Sequence, residues 1–307
     1  MTTQRILITG AHGFIGRYVS RLLAAQGAEV TGLGHGHWPR EEREVWGLTR
    51  WIPGNVEIGT LASAGEQDAV IHCAGGSSVR FAQENPQENY LRSVASTAAL
   101  LEWVRTQASP PALTLVSSAG VYGNTGAEPV REDRTPRPES VYGAHKLMAE
   151  ELCRLYARTF STRCAIVRLF SVYGPGLKKQ LLWDACNKLL RGDHRFAGTG
   201  HEARDWVHVE DAARLLVMAT DHTATDCPLV NGGIGEPVCV REVLDLVADS
   251  LKAVTPQFSG YGRQGDPGRL VADPARAQGW GWRSGIDWRT GVAQYCRWFT
   301  SLRKDPE

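Results

Sequence analysis

Tyr142 and Lys146 frame the run Tyr-Gly-Ala-His-Lys, four positions apart. On a helix that spacing places both side chains on one face. An ammonium beside a phenol stabilises the phenolate, lowering a pKa that is ordinarily about 10. A phenol tuned in this way exchanges a proton with a carbinol or ketone oxygen near neutral pH. Ser118 ends an apolar, strand-like run upstream and offers a hydroxyl that can hydrogen-bond the same oxygen. Tyr-x-x-x-Lys recurs by chance, so its weight here comes from the elements that precede it.

The apolar run Ile6–Ile8 reads as a buried parallel strand. It leads into Gly10, Gly13 and Gly16, which enclose His12, Phe14 and Ile15, and then into helical spacing over 18–25. A strand, a glycine turn and a helix start let the backbone approach a pyrophosphate at the helix N-terminus. The glycine spacing is G-x-x-G-x-x-G rather than G-x-G-x-x-G. Further strands are expected at 29–33, 69–73, 113–117 and 164–169. Helices are expected at 18–26, 89–106 and 142–160, then at 181–190, 240–251 and 290–302. Alternation of this kind predicts an α/β fold with a doubly wound parallel sheet. Ligands in such sheets bind at the carboxyl ends of the strands.

The 307 residues suffice for a full core and a second lobe. A net charge of +1 argues against nucleic-acid binding, and no apolar run reaches membrane-spanning length. The first strand follows Met1–Arg5 directly, leaving no room for a signal peptide. Seven scattered cysteines without a C-x-x-C pair read as reduced thiols, so a cytoplasmic location is expected. No Cys/His spacing suits zinc, and no metal is expected.

The glycine turn followed by the Ser/Tyr/Lys set resembles the extended short-chain dehydrogenase/reductase family of nucleotide-sugar epimerases, dehydratases and ketoreductases. The likeness continues through His72–Gly75, Val116–Gly123, Arg168–Pro175, Arg204–Asp211 and Arg263–Asp266, in the family's order. It implies a Rossmann-type domain of residues 1–170 plus about 205–232. An interleaved substrate lobe would comprise 171–204 and 233–307. It implies catalysis by Ser118, Tyr142 and Lys146. Cofactor contacts would come from Gly10, Gly13, Phe14, Ile15, Gly16, His35, Arg40, Asn55 and Ala74, besides Tyr142 and Lys146. A nucleotide-diphosphate sugar would meet Ser78, Ser118, Ser171, Arg204 and Arg263, the two arginines taking the diphosphate. The helices at 89–106 and 142–160 would form a homodimer.

Two departures concern the cofactor. An acid at the end of the second strand holds the ribose 2′-hydroxyl of NAD, but Gly34 stands there, and the family's Gly-Asp pair is Gly54-Asn55. Loss of negative charge beside His35 and Arg40 slightly favours NADP(H) over NAD(H). Ala119-Gly120 follow Ser118 where dehydratases of the family carry Asp-Glu, so dehydration is disfavoured. The expected reaction is hydride transfer at sugar C4, with reduction of a 4-keto nucleotide sugar ahead of C4 epimerisation with bound NAD. A dinucleotide-binding sensor without turnover is the alternative of another class. Ser171 and Ser93 replace two family asparagines, which leaves base and sugar open.

Overall fold

A computed structural model describes residues 3–76, 78–261 and 268–303. Its centre is a seven-stranded sheet. The strands in chain order are β1 (Arg5–Thr9), β2 (Glu29–Gly34), β3 (Arg50–Pro53), β4 (Ala69–His72), β5 (Ala112–Ser118), β6 (Cys164–Leu169) and Leu229–Gly232. The spatial order is Leu229–Gly232, β6, β5, β4, β1, β2, β3. Every pairing in it is parallel. The order reverses at β1 and β4, so the carboxyl ends of these strands open a crevice for a ligand.

Near-continuous apolar strands are expected where helices cover both faces. Ile6, Leu7, Ile8, Val70, Ile71, Leu113, Ile166 and Val167 are accordingly 0–1% exposed. One face is closed by α1 (Phe14–Ala25) and the helix Val209–Asp221. The other is closed by Ser96–Arg105 and the long helix Val141–Phe160. A further buried cluster lies outside the sheet. It joins Leu182, Ala185 and Leu189 of the helix Gln180–Leu190 to Val243, Leu244 and Val247, and to Tyr295 and Phe299 near the chain's end.

The expected strands and helices are present, with three differences. β3 and Leu229–Gly232 extend the sheet beyond the expected five strands. The stretch 89–106 is not one helix: Pro86–Tyr90 passes through a π-helical turn at Leu91–Ala95 into Ser96–Arg105. That wide turn lets Ser93 face Gly76, whose amide donates to the serine Oγ at 3.0 Å. No helix among the described residues is long and apolar enough to cross a membrane.

Candidate active site

The glycine turn is built by contacts that only glycine permits. Gly10 sits at φ +70°, and a Cβ there would fall 2.7 Å from the amide nitrogen of Ala74. A Cβ on Gly16 would fall 2.3 Å from the Gly10 carbonyl oxygen. Chain β1, its turn and the end of β4 therefore pack backbone against backbone. Gly13 caps α1 with no side-chain hydrogen bond, and no acid stands in the first turn. The helix start keeps its amides and the positive end of its dipole for an anion. These features fit a dinucleotide pyrophosphate.

At the end of β5, Ser118 turns into a short 3₁₀ segment and accepts the Gly120 amide at 3.1 Å. Its hydroxyl faces the Tyr142 phenol and draws the phenol pKa down. Ser117, one residue earlier, points the other way and donates to Glu150 at 2.6 Å. Tyr142 is the second residue of the long helix, whose N-cap Ser140 accepts the Gly143 amide at 3.1 Å. Lys146 lies one turn further on, buried, and its Nζ donates to the Val116 carbonyl at 3.0 Å.

The electrostatics differ from the expectation. Burial raises the Tyr142 phenol above its ordinary value, and the opposing pull comes from Ser118 rather than from Lys146. Burial pushes the Lys146 ammonium down to about 8, against attraction from the sides of Cys73 and Glu150. Shared helical face is thus not enough for the lysine charge to govern the phenol: the ammonium is anchored on the β5 backbone.

A cleft of about 1910 Å³ runs from the glycine turn past this cluster to the second core. Gly10, Gly13, Phe14, Ile15, Gly16, His35, Asn55, Ala74, Ser78, Ser118, Tyr142, Lys146, Ser171 and Arg204 all line it. Ser78 also caps a helix, accepting the Phe81 amide at 3.0 Å. Arg204 donates to the Ala203 carbonyl at 3.0 Å. Arg40 is not brought to the cleft. It is exposed and pairs with Glu44 at 2.7 Å, the i,i+4 neighbour on its own helix. Arg263 lies outside the described residues. His12, Trp183 and Lys178 line the same cleft and escaped the sequence reading. Only His12 carried a signal, its place inside the glycine turn.

The α/β sheet with a glycine cradle and a Ser/Tyr/Lys cluster at its carboxyl edge defines a dinucleotide-dependent enzyme fold. The profile of the NAD dependent epimerase/dehydratase family matches residues 6–230, and the chain belongs to that family. It is similar to a putative UDP-glucose 4-epimerase of Methanocaldococcus jannaschii, 27% identical over 301 residues that cover 95% of this chain and 97% of the relative. It is similar to a probable UDP-glucuronate 4-epimerase of Rhizobium meliloti, 27% identical, with 96% and 97% covered. Among solved structures, MoeE5 in complex with UDP-glucuronic acid and NAD superposes with a TM-score of 0.87 at 28% identity, covering 97% of this chain and 99% of that one. The lean toward NADP finds no support in these relatives.

Proposed function

We propose that the protein is an NAD-dependent 4-epimerase of a UDP-sugar. This reading replaces reduction of a 4-keto sugar as the favoured one, because relatives named as 4-epimerases match nearly the whole chain. The observation that carries it is the convergence of Ser118, Tyr142 and Lys146 on the cleft that begins at the glycine cradle. Ala119-Gly120 beside Ser118 supply no carboxylate to expel water from the sugar, which argues against a dehydratase.

Gly10, Gly13, Phe14, Ile15, Gly16, His35, Asn55 and Ala74 would hold NAD, which would supply the hydride acceptor and donor. Tyr142 takes the proton from the C4 hydroxyl and returns it to the C4 oxygen. Ser118 holds that oxygen, its own Oγ fixed by the Gly120 amide. Lys146 orients the nicotinamide ribose from its anchor on Val116. Ser78, Ser171 and Arg204 meet the nucleotide sugar, with Arg204 and Arg263 on its diphosphate. The lobe of 171–204 and 233–307 holds the nucleotide part of the substrate. Turning the 4-keto sugar within the cleft would present its other face, so that hydride would return to C4 on that face while Tyr142 returns the proton to the oxygen.

The protein is also read as a homodimer. Tyr90, Met148 and Leu155 are 43–48% exposed and flank an apolar hollow with Val94, Leu147 and Leu152. Light scattering at micromolar concentration should give twice the 33.6 kDa chain mass, and a monomer would end this reading.

The deciding experiment incubates purified protein with UDP-glucose or UDP-glucuronate, without added cofactor, and follows the C4 epimer by NMR. Interconversion is expected. Absence of epimer together with stoichiometric oxidation of NADPH by a 4-keto nucleotide sugar would return the reductase.

A further inference from the structure

We propose that Asn89 and His145 are positioning residues of the reaction site: together they lock the two-glycine wall Gly75–Gly76 against Lys146. The inference rests on the reading of the cleft as the place of hydride and proton transfer.

The wall begins just past the end of β4. Gly75 and Gly76 line the cleft together with Tyr142 and Lys146. A Cβ on Gly75 would stand 3.1 Å from Lys146 Nζ, so the chain runs close beside the ammonium. Two residues without side chains make a close-fitting wall but a compliant one, because glycine restrains its own backbone least. Groups outside the pair must hold it.

Asn89 does so from behind. A Cβ on Gly76 would fall 1.8 Å from Asn89 Nδ2, so the carboxamide occupies the space that a side chain at 76 would fill. Asn89 is fully buried. Ser93, four residues on, accepts the Gly76 amide at 3.0 Å. The carboxamide is fixed in turn from the long helix, where His145 Nδ1 lies 2.7 Å from Asn89 Oδ1. Burial holds the His145 imidazole below its ordinary value, so near pH 7 the ring is neutral and Nδ1 carries the hydrogen that Oδ1 accepts. The Tyr90 ring meets the imidazole edge-on, with centroids 5.7 Å apart. His145 directly precedes Lys146 and follows Tyr142 by three residues. The contacts close a circuit: Lys146 to the wall, the wall to Asn89, Asn89 to His145, and His145 back to Lys146 along the helix.

Space filling alone does not account for an asparagine here. Its Nδ2 is buried and has no hydrogen-bond partner among the described residues. An apolar side chain of the same size would fill the gap beside Gly76 without that cost. What the carboxamide adds is Oδ1, and Oδ1 is tied to the helix that carries Tyr142 and Lys146.

The test uses the full chain, with epimer formation from UDP-glucose or UDP-glucuronate, calorimetry with NAD, and urea unfolding. Asn89→Ala and His145→Ala should each lower kcat by about tenfold to a hundredfold, while KM and the NAD dissociation constant stay within about threefold. The double variant should lose far less than the product of the two, since the pair acts as one unit. His145→Gln, which can still donate to Oδ1, should recover most of the kcat. Gly76→Ala should cost more than either single change. Adding Asn89→Ala to it should bring activity back toward that of Asn89→Ala alone, because the methyl then takes the place of the carboxamide. Independently of turnover, each single alanine substitution should lower the folding equilibrium constant by about threefold or more, and the pair should fall short of the product. Unchanged kcat in folded Asn89→Ala or His145→Ala would overturn the proposal. So would losses that multiply in the double variant, His145→Gln no better than His145→Ala, or no recovery in folded Gly76→Ala/Asn89→Ala. A wild type that turns over neither sugar nucleotide would defeat the epimerase reading instead, and the unfolding cycle would still decide whether the two side chains act together.

Discussion

Replacing Lys146 with methionine separates what this residue costs the fold from what it does in the site. The side chain is 6% exposed, and burial pushes its ammonium from 10.5 down to about 8. A folded-state pKa below the unfolded one means that the folded chain holds fewer protons between these two values. The associated stability is fully present above 10.5 and is lost as pH falls through about 8. The gap corresponds to ~3 kcal/mol. Methionine fills a similar volume without a charge and removes this dependence. It also forfeits the hydrogen bond to Val116, worth roughly 1.5–3 kcal/mol for a charged donor. At pH 7 the two effects nearly offset, and the variant should lie within about 2 kcal/mol of wild type. By pH 10.5 wild type should have gained ~3 kcal/mol on it. Urea unfolding followed by tryptophan fluorescence, on both proteins from pH 7 to 10.5, measures the difference. A difference that stays flat within about 0.5 kcal/mol across that range would refute the buried-ammonium argument. Turnover should be lost in the variant at every pH.

Three other perturbations test separate links. Tyr142→Phe should keep the fold and dinucleotide affinity while lowering kcat by about 10²–10⁴-fold; near-wild-type turnover would remove Tyr142 from proton transfer. Asp205, fully buried, accepts the amides of Ile234 and Gly235 at 2.8 Å and of Ala272 at 3.1 Å. Asp205→Asn turns a donor toward those amides and should cost ~3 kcal/mol in urea unfolding, and a loss under about 1 kcal/mol would show that the clamp is dispensable. Gly16→Ala places a methyl 2.3 Å from a backbone oxygen in the cradle. It should weaken NAD binding by more than about tenfold in calorimetry, and unchanged affinity would mean that the cradle can open freely.

Sequence was informative where a single local rule governs. The glycine turn is such a place, since strand, turn and helix follow one another within twelve residues, Arg5–Gly16. Ser118, Tyr142 and Lys146 stood out because a strand, a glycine turn and a helix start precede them; Tyr-x-x-x-Lys alone recurs by chance. β3 and Leu229–Gly232 were not, being four residues each and lacking a sustained alternation to read. The π-helical turn at Leu91–Ala95 has no sequence signature, because apolar spacing over 89–106 satisfies a regular helix as well. Arg40 illustrates a choice made by side chains: from sequence it faces a cofactor or a neighbour equally, and Glu44 four residues on captures it. The relation of Lys146 to the phenol failed for another reason. Spacing gives a common face, but burial and the Val116 carbonyl decide where the charge goes.

The stiffness of the site has its source in polar groups behind it. Glu150 and Arg168 are 0–1% exposed and joined by two hydrogen bonds, at 2.9 and 2.6 Å. Ser117 adds a third contact to the same carboxylate, and Arg154 a fourth at 3.1 Å. The Arg168 guanidinium also lies 4.5 Å from the centre of the Tyr122 ring, whose hydroxyl donates to Asn231 at 2.7 Å. A buried pair of this kind adds little net stability, because desolvation offsets its attraction, yet removing one partner costs about 3–5 kcal/mol. Apolar residues of equal volume would serve stability as well, so stability does not account for the choice. Directional bonds do what apolar packing cannot: they fix Ser117 of β5, Arg168 of β6 and Glu150 of the long helix at one point. Ser118 follows Ser117 directly, and Lys146 is one helical turn before Glu150. Any slip of that helix along the sheet would break the three bonds from Ser117 and Arg168 to a buried carboxylate, and so the phenol, the serine and the lysine keep their mutual distances.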